Sequence, residues 1–264
     1  MKIGFIGLGN MASAMIGGIL KHGVTTKENI LGYDTLLSVR KEAQARLGIL
    51  TAGSDTEVVV NSQIIVLAVK PQFYMDVIEE IRNVASIEKL FITIAPGKTL
   101  DWLKNAFHHN VKIVRCMPNT PALVGEGMTG ACPNELVSEE EFEKVMRILN
   151  SFGKARHVPE RLMDAVVSVS GSSPAYVFMM IEAMADAAVA DGMPRQEAYR
   201  FAAQAVYGSA KMVLETGRHP ADLKDMVCSP AGTTIEAVRV LEEKGFRAAI
   251  MDAMRACTEK SKSL

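Results

Sequence analysis

The segment from residue 7 to residue 12 has the residue types and spacing of a loop that binds a dinucleotide. It reads GLGNMA, matches the pattern G-x-G-x-x-A, and directly follows a short apolar run. In such a loop Gly7 permits the tight turn, Gly9 lets the backbone approach a pyrophosphate, and Ala12 keeps the following helix close to the sheet. The helix N-terminus then faces the phosphates. The pattern predicts a dinucleotide site, and the alternative is a purely structural glycine turn.

The choice between the two nicotinamide dinucleotides is expected to depend on residues that follow the second strand. Asp34 closes that strand roughly twenty residues past the glycines, where an acid usually accepts hydrogen bonds from the adenosine ribose and favours NAD. Arg40 and Lys41 lie just downstream and could instead meet the 2′-phosphate of NADP, or form a solvated helix face. The residues alone therefore leave the cofactor choice open.

Two further loops follow predicted strands, at the edge where parallel sheets place their ligands. Ala68-Val69-Lys70-Pro71 ends the strand predicted to start at Ile64, so Lys70 either contacts a cofactor or is a plain surface charge. The segment MPNTP, residues 117–121, follows the strand predicted at 111–116, and its two prolines make the loop rigid. A rigid loop in that position suits the nicotinamide half of a cofactor.

A second candidate binding segment reads SPAGTT and spans residues 229–234. We predict that Thr233 and Glu236 form a capping box, so that a helix begins at Thr233. The tight loop before it has free backbone N–H groups, and a helix N-terminus of this kind can bind a carboxylate. Thr234 adds a hydroxyl that can reach a ring nitrogen. The alternative is an ordinary capped turn that binds no ligand.

The elements that must position these segments divide the chain into a sheet part and a helical part. Apolar strands alternate with helices through the first 150 residues, which predicts a Rossmann-type doubly wound parallel sheet. Beyond residue 158 the strand signals vanish. We therefore expect an α/β chain with a dinucleotide-binding domain at 1–158 and an all-helical C-terminal domain at 159–264. The predicted strands are 3–6, 30–33, 64–69, 90–94 and 111–116, and the predicted C-terminal helices are 161–169, 174–191, 195–215, 233–243 and 246–260.

Composition and charge exclude several classes of protein. The 264 residues are 48% apolar and 22% charged, as in ordinary globular proteins, and the net charge of −1 gives no reason to expect nucleic acid or a membrane as partner. The apolar run at 175–190 contains Glu182 and Asp186, so a buried helix is favoured over a membrane span. The four cysteines are widely spaced, so we expect no metal site and a reducing, cytoplasmic location.

The helical part is rich in alanine and methionine, and several of its helices are apolar around most of their circumference. A domain of about 100 residues has difficulty hiding that much apolar surface by itself. A homodimer with a shared helical interface is the expected solution. A compact monomeric bundle is the alternative.

Five segments resemble the motifs of the pyrroline-5-carboxylate reductases. They are GFIGLGNM near the start, AVKP, MPNTPALVGEGMT, SGSSPAY at 170–176, and LKDMVCSPAGTTIEAVRVLEEKGFR. The resemblance spans essentially the whole chain, in the right order. It implies hydride transfer from NAD(P)H to 1-pyrroline-5-carboxylate, which gives L-proline in the last step of proline biosynthesis. It also implies dimers formed through the helical domain, often assembled into larger rings such as decamers.

The resemblance also implies the roles of particular residues. Glu160 matches an acidic residue near the substrate, and Thr234 is expected to hydrogen bond to the imine nitrogen as the catalytic residue. NADPH is the expected cofactor, with NADH possible, because Asp34 departs from the small polar residue often found at that position. The remaining cofactor residues implied are Gly7, Leu8, Gly9, Asn10, Met11, Ala68, Val69 and Lys70, and the remaining substrate residues are Ser229, Gly232 and Thr233.

The nearest alternative is a 3-hydroxyacid dehydrogenase-like oxidoreductase, which carries a catalytic lysine in a G-x-x-x-K-x-x-N helix. In the segment that starts at Gly208, Lys211 comes one position early, and Leu214 occupies the position of the asparagine. Lys211 is therefore expected to be a helix-surface residue. A non-enzymatic dinucleotide sensor is disfavoured by the intact segment 229–234.

Overall fold

The computed structural model describes residues 1–263, which form two compact units. The first unit contains Met1–Ser172 together with the C-terminal segment that starts at Cys257. The second unit is Ser173–Ala256. The domain boundary predicted after residue 158 stays a prediction.

The first unit is built on one sheet of eight strands in the order β3-β2-β1-β4-β5-β6-β7-β8. Neighbouring strands pair in parallel except β6 and β7, which are antiparallel. The predicted Rossmann-type doubly wound sheet is therefore confirmed, with one antiparallel pair that the sequence analysis did not anticipate. The strands are β1 Ile3–Ile6, β2 Ile30–Tyr33, β3 Leu50–Thr51, β4 Ile64–Leu67, β5 Leu90–Thr93, β6 Lys112–Met117, β7 Gly127–Pro133 and β8 Gly153–His157.

Helices cover both faces of this sheet, which explains why β1, β4 and β5 are buried along their whole length. One apolar cluster joins Ile3 and Phe5 of β1 to the helices α1 and α6, and the other joins Ile6 to α3, α4 and α5. The helices are α1 Asn10–Lys21, α2 Leu37–Leu47, α3 Asp55–Asn61, α4 Tyr74–Ile81, α5 Leu100–Phe107, α6 Glu139–Leu149 and α7 Met163–Val166.

The second unit is helical, as predicted. Its helices are α8 Ser173–Ala190, α9 Arg195–Thr216, α10 Pro220–Val227, α11 Thr233–Glu243 and α12 Phe246–Lys262. The helix α10 was not among the helices predicted from the sequence. Between α7 and α8 the chain makes a π-helical turn at Val167–Gly171. None of the helices in residues 1–263 is long and apolar enough to cross a membrane.

The last helix, α12, runs from the second unit into the first. Its final turns are attached to the first unit by side chains. The hydroxyl of Ser261 donates to Oδ1 of Asp164 at 2.7 Å, and the thiol of Cys257 contacts the hydroxyl of Ser172 at 3.2 Å. Ser261 is buried. The C-terminal turns are thus a structural part of the first unit.

Candidate functional site

The glycine loop between β1 and α1 has the geometry that the sequence predicts. Gly7 adopts φ +90°, a left-handed value that favours glycine, and a Cβ there would lie 2.9 Å from the carbonyl of Ala68. Gly9 has an ordinary φ of −69°, and a Cβ there would meet no protein atom within 4 Å. Gly7 is therefore required by the fold, whereas the absence of a side chain at Gly9 leaves open space in front of α1.

The N-terminus of α1 faces this open space without a side-chain cap. Gly9 is the N-cap residue, and the first turn of the helix, which starts with Asn10 and Met11, carries no acidic residue. The first N–H groups of a helix have no partner within the helix, and the helix dipole favours an anion beside them. The position can hold a phosphate group, which is what a dinucleotide would present.

Asp34 is fixed against the glycine loop. Its Oδ2 accepts a hydrogen bond from the backbone N–H of Leu8, and its Oδ1 accepts one from the backbone N–H of Leu36, both at 3.0 Å. Leu8 itself is buried, with its side chain in the apolar cluster. The two bonds hold the Asp34 carboxylate at the end of β2, and each oxygen keeps a lone pair for a further donor.

A cleft of about 460 Å³ opens beyond the carboxyl ends of β1, β2 and β4. It brings together most of the predicted cofactor residues, and it also contains acidic residues that the sequence analysis missed. Asp76 and Glu80 were detectable because their i, i+4 spacing places them on one face of α4. The lining residues are Gly7, Gly9, Tyr33, Asp34, Thr35, Leu36, Asp55, Ala68, Val69, Lys70, Phe73, Asp76, Val77 and Glu80.

Tyr74 ties together two of the strand ends that support the cleft. Its side chain is fully buried, and its hydroxyl donates to the carbonyl of Leu67 at 2.6 Å and accepts from the N–H of Ile94 at 3.2 Å. Burial raises the pKa of the Tyr74 hydroxyl, so the group stays neutral. The bonds hold the end of β4, from which Ala68 and Lys70 extend.

Arg40 lies outside the lining of the cleft. Its guanidinium is 5.1 Å from the centre of the Tyr33 ring, and Nη1 donates a long hydrogen bond of 3.4 Å to the carbonyl of Ala52. Lys41 is exposed on α2. Among the lining residues, Lys70 is therefore the one basic side chain.

Glu160 lies at the start of the helical stretch after β8 and holds a buried arginine. Its Oε1 accepts from Nη1 of Arg115 at 2.9 Å and from the backbone N–H of Leu100, at the start of α5, at 2.7 Å. The side chain of Arg115 is 5% exposed and that of Glu160 is 32% exposed. Glu160 thus has a structural partner, which the resemblance did not imply.

The segment MPNTP is anchored by Asn119. Its Nδ2 donates to the carbonyl of Ser170 at 2.9 Å, and its Oδ1 accepts from the N–H of Met128 at 2.8 Å. The chain then forms a short 3-10 helix at Thr120–Val124. Two of the five motifs, MPNTP and SGSSPAY, are therefore in direct contact, and the predicted rigid loop has a further support besides its prolines.

The segment 229–234 forms a turn followed by a helix. The N–H of Gly232 donates to the carbonyl of Ser229 at 3.1 Å, and Ala231 adopts φ +57°, as the third residue of a type II turn does. A Cβ at Gly232 would lie 2.5 Å from Oγ of Ser229 and 3.1 Å from the Ser229 carbonyl oxygen, so the turn leaves little room for a side chain at this position. The helix α11 begins at Thr233, which confirms the predicted start.

The predicted capping box at this helix is wrong. The N-cap residue is Gly232, which has no side chain to cap the helix, and Thr233 is already the first helical residue. Glu236 instead accepts hydrogen bonds from Arg239 along the same helix. The first N–H groups of α11 therefore lack a side-chain cap, which leaves this end better suited to bind a carboxylate than a capping box would.

Two other possible sites were the lysine of the dehydrogenase alternative and a metal site. Lys211, the residue on which the dehydrogenase alternative depends, is exposed on α9 and pairs with Glu215 at 3.5 Å, as a surface residue does. In residues 1–263 no group of histidine, cysteine, aspartate and glutamate side chains could hold a metal ion.

Comparisons with known proteins agree with this geometry. The family model described as pyrroline-5-carboxylate reductase dimerisation matches residues 160–264, and one described as NADP oxidoreductase, coenzyme F420-dependent, matches residues 2–97. The chain is 55% identical to the pyrroline-5-carboxylate reductase of Escherichia coli K12 and covers 98% of it. It is 47% identical to the enzyme of Methanosarcina acetivorans and covers 97% of it. Both alignments include 100% of this chain.

Solved structures give the same result. The chain matches the Plasmodium falciparum pyrroline carboxylate reductase, solved with NADP bound, with a TM-score of 0.92 and 35% identity. It matches the Coxiella burnetii pyrroline-5-carboxylate reductase with a TM-score of 0.91 and 32% identity. The alignments cover 100% and 99% of this chain, and 97% of each of those chains. By sequence over its full length and by structure, the chain belongs to the pyrroline-5-carboxylate reductase family.

Proposed function

We propose that the protein reduces 1-pyrroline-5-carboxylate to L-proline with a hydride from NADPH or NADH, as the last step of proline biosynthesis. The observation that carries this proposal is the 55% identity, over the full chain, to a relative that bears this name. The glycine loop before α1 and the N-terminus of α11, which both lack a side-chain cap, are the two anion sites that such a reaction needs. One would hold the pyrophosphate of the dinucleotide, and the other would hold the carboxylate of the substrate.

In this reaction the main task of the protein is to bind the substrate and the cofactor and to orient them for hydride transfer. When bound, the dinucleotide would supply the hydride for the imine carbon, and the proton on the ring nitrogen would be the one that the protonated imine already carries. The protonated imine is already a good hydride acceptor. The backbone of the loop from Gly7 to Met11 and the strand end at 68–70 would hold the cofactor, with Asp34 at the ribose. Ser229, Gly232 and Thr233 would fix the carboxylate, with Glu160 near the substrate, and the Thr234 hydroxyl would hydrogen bond to the nitrogen.

The activity is tested by adding 1-pyrroline-5-carboxylate to the purified protein and following the oxidation of NADPH and NADH. We expect turnover with at least one of the two cofactors. Reactions with 3-hydroxy acids and NAD or NADP are the matched negative control, because the dehydrogenase alternative predicts the opposite pattern. If folded protein oxidises neither cofactor with this imine, the proposed function is wrong.

The role of Thr234 is tested by Thr234→Ala. Loss of one hydrogen bond to the substrate is worth roughly 1–3 kcal/mol, so we expect kcat/KM for the imine to fall by about 5- to 150-fold. Cofactor affinity should stay the same. Ser209→Ala is the matched control, because it removes an exposed hydroxyl from α9, where Ser209 bonds only to the carbonyl of Ala205. An unchanged kcat/KM in Thr234→Ala would remove this hydroxyl from the mechanism.

We also propose that residues 159–264 are the substrate-binding and dimerisation domain, and that the homodimer assembles further, for example into a decamer. The second unit buries few apolar side chains in the single chain, and these are Ala185, Ala198, Ala202 and Leu223. Large apolar side chains on its helices are exposed, among them Phe178, Met179, Phe201, Leu214 and Met251. Such a surface is more apolar than a monomer usually exposes. A cytoplasmic location, with no nucleic-acid or membrane partner, stays a prediction.

A further inference from the structure

The loop after β6 is held in place by one buried side chain. Asn119, which is 8% exposed, donates from Nδ2 to the carbonyl of Ser170 and accepts at Oδ1 from the N–H of Met128, at 2.9 Å and 2.8 Å. Ser170 belongs to the π-helical turn, and Met128 belongs to β7. One carboxamide therefore joins three segments of the first unit that are far apart in sequence.

The π-helical turn also lies close to the end of β6. A Cβ at Gly171 would lie 3.2 Å from Cε of Met117, the last residue of that strand. The turn closes with the N–H of Ser172, which donates to the carbonyl of Val167 at 2.8 Å. Single π-helical turns occur frequently at functional sites. The contacts of this turn with the loop after β6 therefore concern the ligand-binding edge of the sheet.

The strand order indicates which half of a dinucleotide would reach this loop. The glycine loop follows β1 and Asp34 follows β2, so the pyrophosphate and the adenosine ribose would lie over these two strands. The other half then has to extend across the carboxyl ends of β4 and β5 toward β6. The strand β6 is the third from β1, about 14 Å away at the usual strand spacing. The loop at 117–121 would therefore border the nicotinamide ring.

We propose that Asn119 is a positioning residue for hydride transfer. The proposal rests on the proposed function, because it assumes that the protein binds a nicotinamide dinucleotide that reduces the imine. The carboxamide ties the loop to β7 and to the π-helical turn, and so fixes the backbone beside the nicotinamide ring. The rate of hydride transfer depends steeply on the orientation of the ring toward the substrate. Asn119 acts through the loop and touches neither ligand.

Asn134 is a matched control, because it makes the same two kinds of hydrogen bond at the other end of β6. Its Nδ2 donates to the carbonyl of Val111 at 2.8 Å, and its Oδ1 accepts from the N–H of Ile113 at 3.2 Å. Val111 and Ile113 are buried and flank the first residue of β6. Loss of either carboxamide removes the partners of two backbone groups, so both losses should destabilise the fold to a similar extent.

The test compares the wild type with Asn119→Ala and Asn134→Ala. Both variants should lower the Tm by several degrees and keep dissociation constants for NADH and NADPH close to those of the wild type. Asn119→Ala should lower kcat for the imine by about 10- to 100-fold. It should also raise the primary kinetic isotope effect on kcat, measured with cofactor deuterated at the transferred hydrogen, because hydride transfer becomes more rate-limiting. Asn134→Ala should keep the wild-type kcat and isotope effect.

The fluorescence anisotropy of the bound reduced cofactor gives a second measurement, which needs no turnover. The reduced nicotinamide ring is the fluorophore, and a ring that moves within its site on the nanosecond timescale depolarises its own emission. Bound NADPH should therefore show a lower anisotropy in Asn119→Ala than in the wild type and in Asn134→Ala. Absence of turnover in the wild type would refute the proposed function, whereas the anisotropy values would still decide the role of Asn119.

Asn119→Asp is the milder variant and replaces Asn119→Ala if the latter does not fold. Its carboxylate can still accept from the N–H of Met128 but cannot donate to the carbonyl of Ser170. We expect a lower kcat, a larger isotope effect and a lower anisotropy here as well. The proposal is overturned if a folded Asn119 variant keeps the wild-type isotope effect and anisotropy, or if Asn134→Ala changes both to the same extent.

Discussion

Gly9→Val should weaken dinucleotide binding by about 100-fold, roughly 3 kcal/mol, while the melting temperature stays close to that of the wild type. The backbone at Gly9 has an ordinary negative φ, and a Cβ there meets no protein atom within 4 Å, so the fold tolerates a side chain. The same side chain would occupy the space in front of α1, where the pyrophosphate is expected. The measurement is the dissociation constant of NADH or NADPH, together with thermal unfolding.

Gly17→Val is the matched control for this change. Gly17 lies on the same helix, and a Cβ there also meets no atom within 4 Å, but the position is outside the cleft. We expect Gly17→Val to bind both cofactors as the wild type does. If Gly9→Val also retained wild-type affinity, the pyrophosphate would have to bind somewhere other than the glycine loop.

Glu160→Gln should destabilise the protein by about 3 kcal/mol, or roughly 6–12 °C in Tm for a unit of this size. The substitution removes the negative charge beside the buried guanidinium of Arg115, which then keeps its own charge without a counter-ion. The amide can still accept the hydrogen bond from the N–H of Leu100. Thermal unfolding of the wild type and the variant at pH 7 measures the effect.

The control is Glu140→Gln, which breaks the exposed ion pair between Glu140 and Lys144 at 2.7 Å. An exposed pair of this kind contributes about 0.3–0.5 kcal/mol, so its Tm should hardly change. The kinetics of Glu160→Gln separate the two roles of this residue. A raised KM for the imine supports the substrate contact that the family resemblance implies. A wild-type Tm would show that the ion pair with Arg115 does not stabilise the fold.

Much of this fold could be predicted from local patterns. The strands β1 and β2 were predicted with the same bounds, because short apolar runs are local signals. The strands β7 and β8 were missed. The sequence of β7 is GMTGACP, in which glycine, alanine and proline have little strand propensity, so pairing with β6 and β8 overrides the local preference.

The candidate site was predicted less completely than the fold. Motifs located Gly7, Gly9 and Asp34, because spacing along the chain carries that information. The burial of Asp55 could not be found in this way, because it depends on how α3 packs against β1, β2 and α4. The predicted capping box at Thr233 was wrong for a similar reason. The pattern has the right residue types, but the turn at Pro230 and Ala231 shifts the N-cap to Gly232.

Because the end of α12 is part of the first unit, the order of synthesis determines when this unit can complete its folding. Asp164 and Ser261 are 97 residues apart in sequence, so their contact closes a long loop. A ribosome synthesises the whole helical unit before it reaches Ser261. The first unit therefore acquires this packed segment only after the helical unit has been synthesised. A fragment that stops at residue 172 would therefore expose the surface that this segment covers.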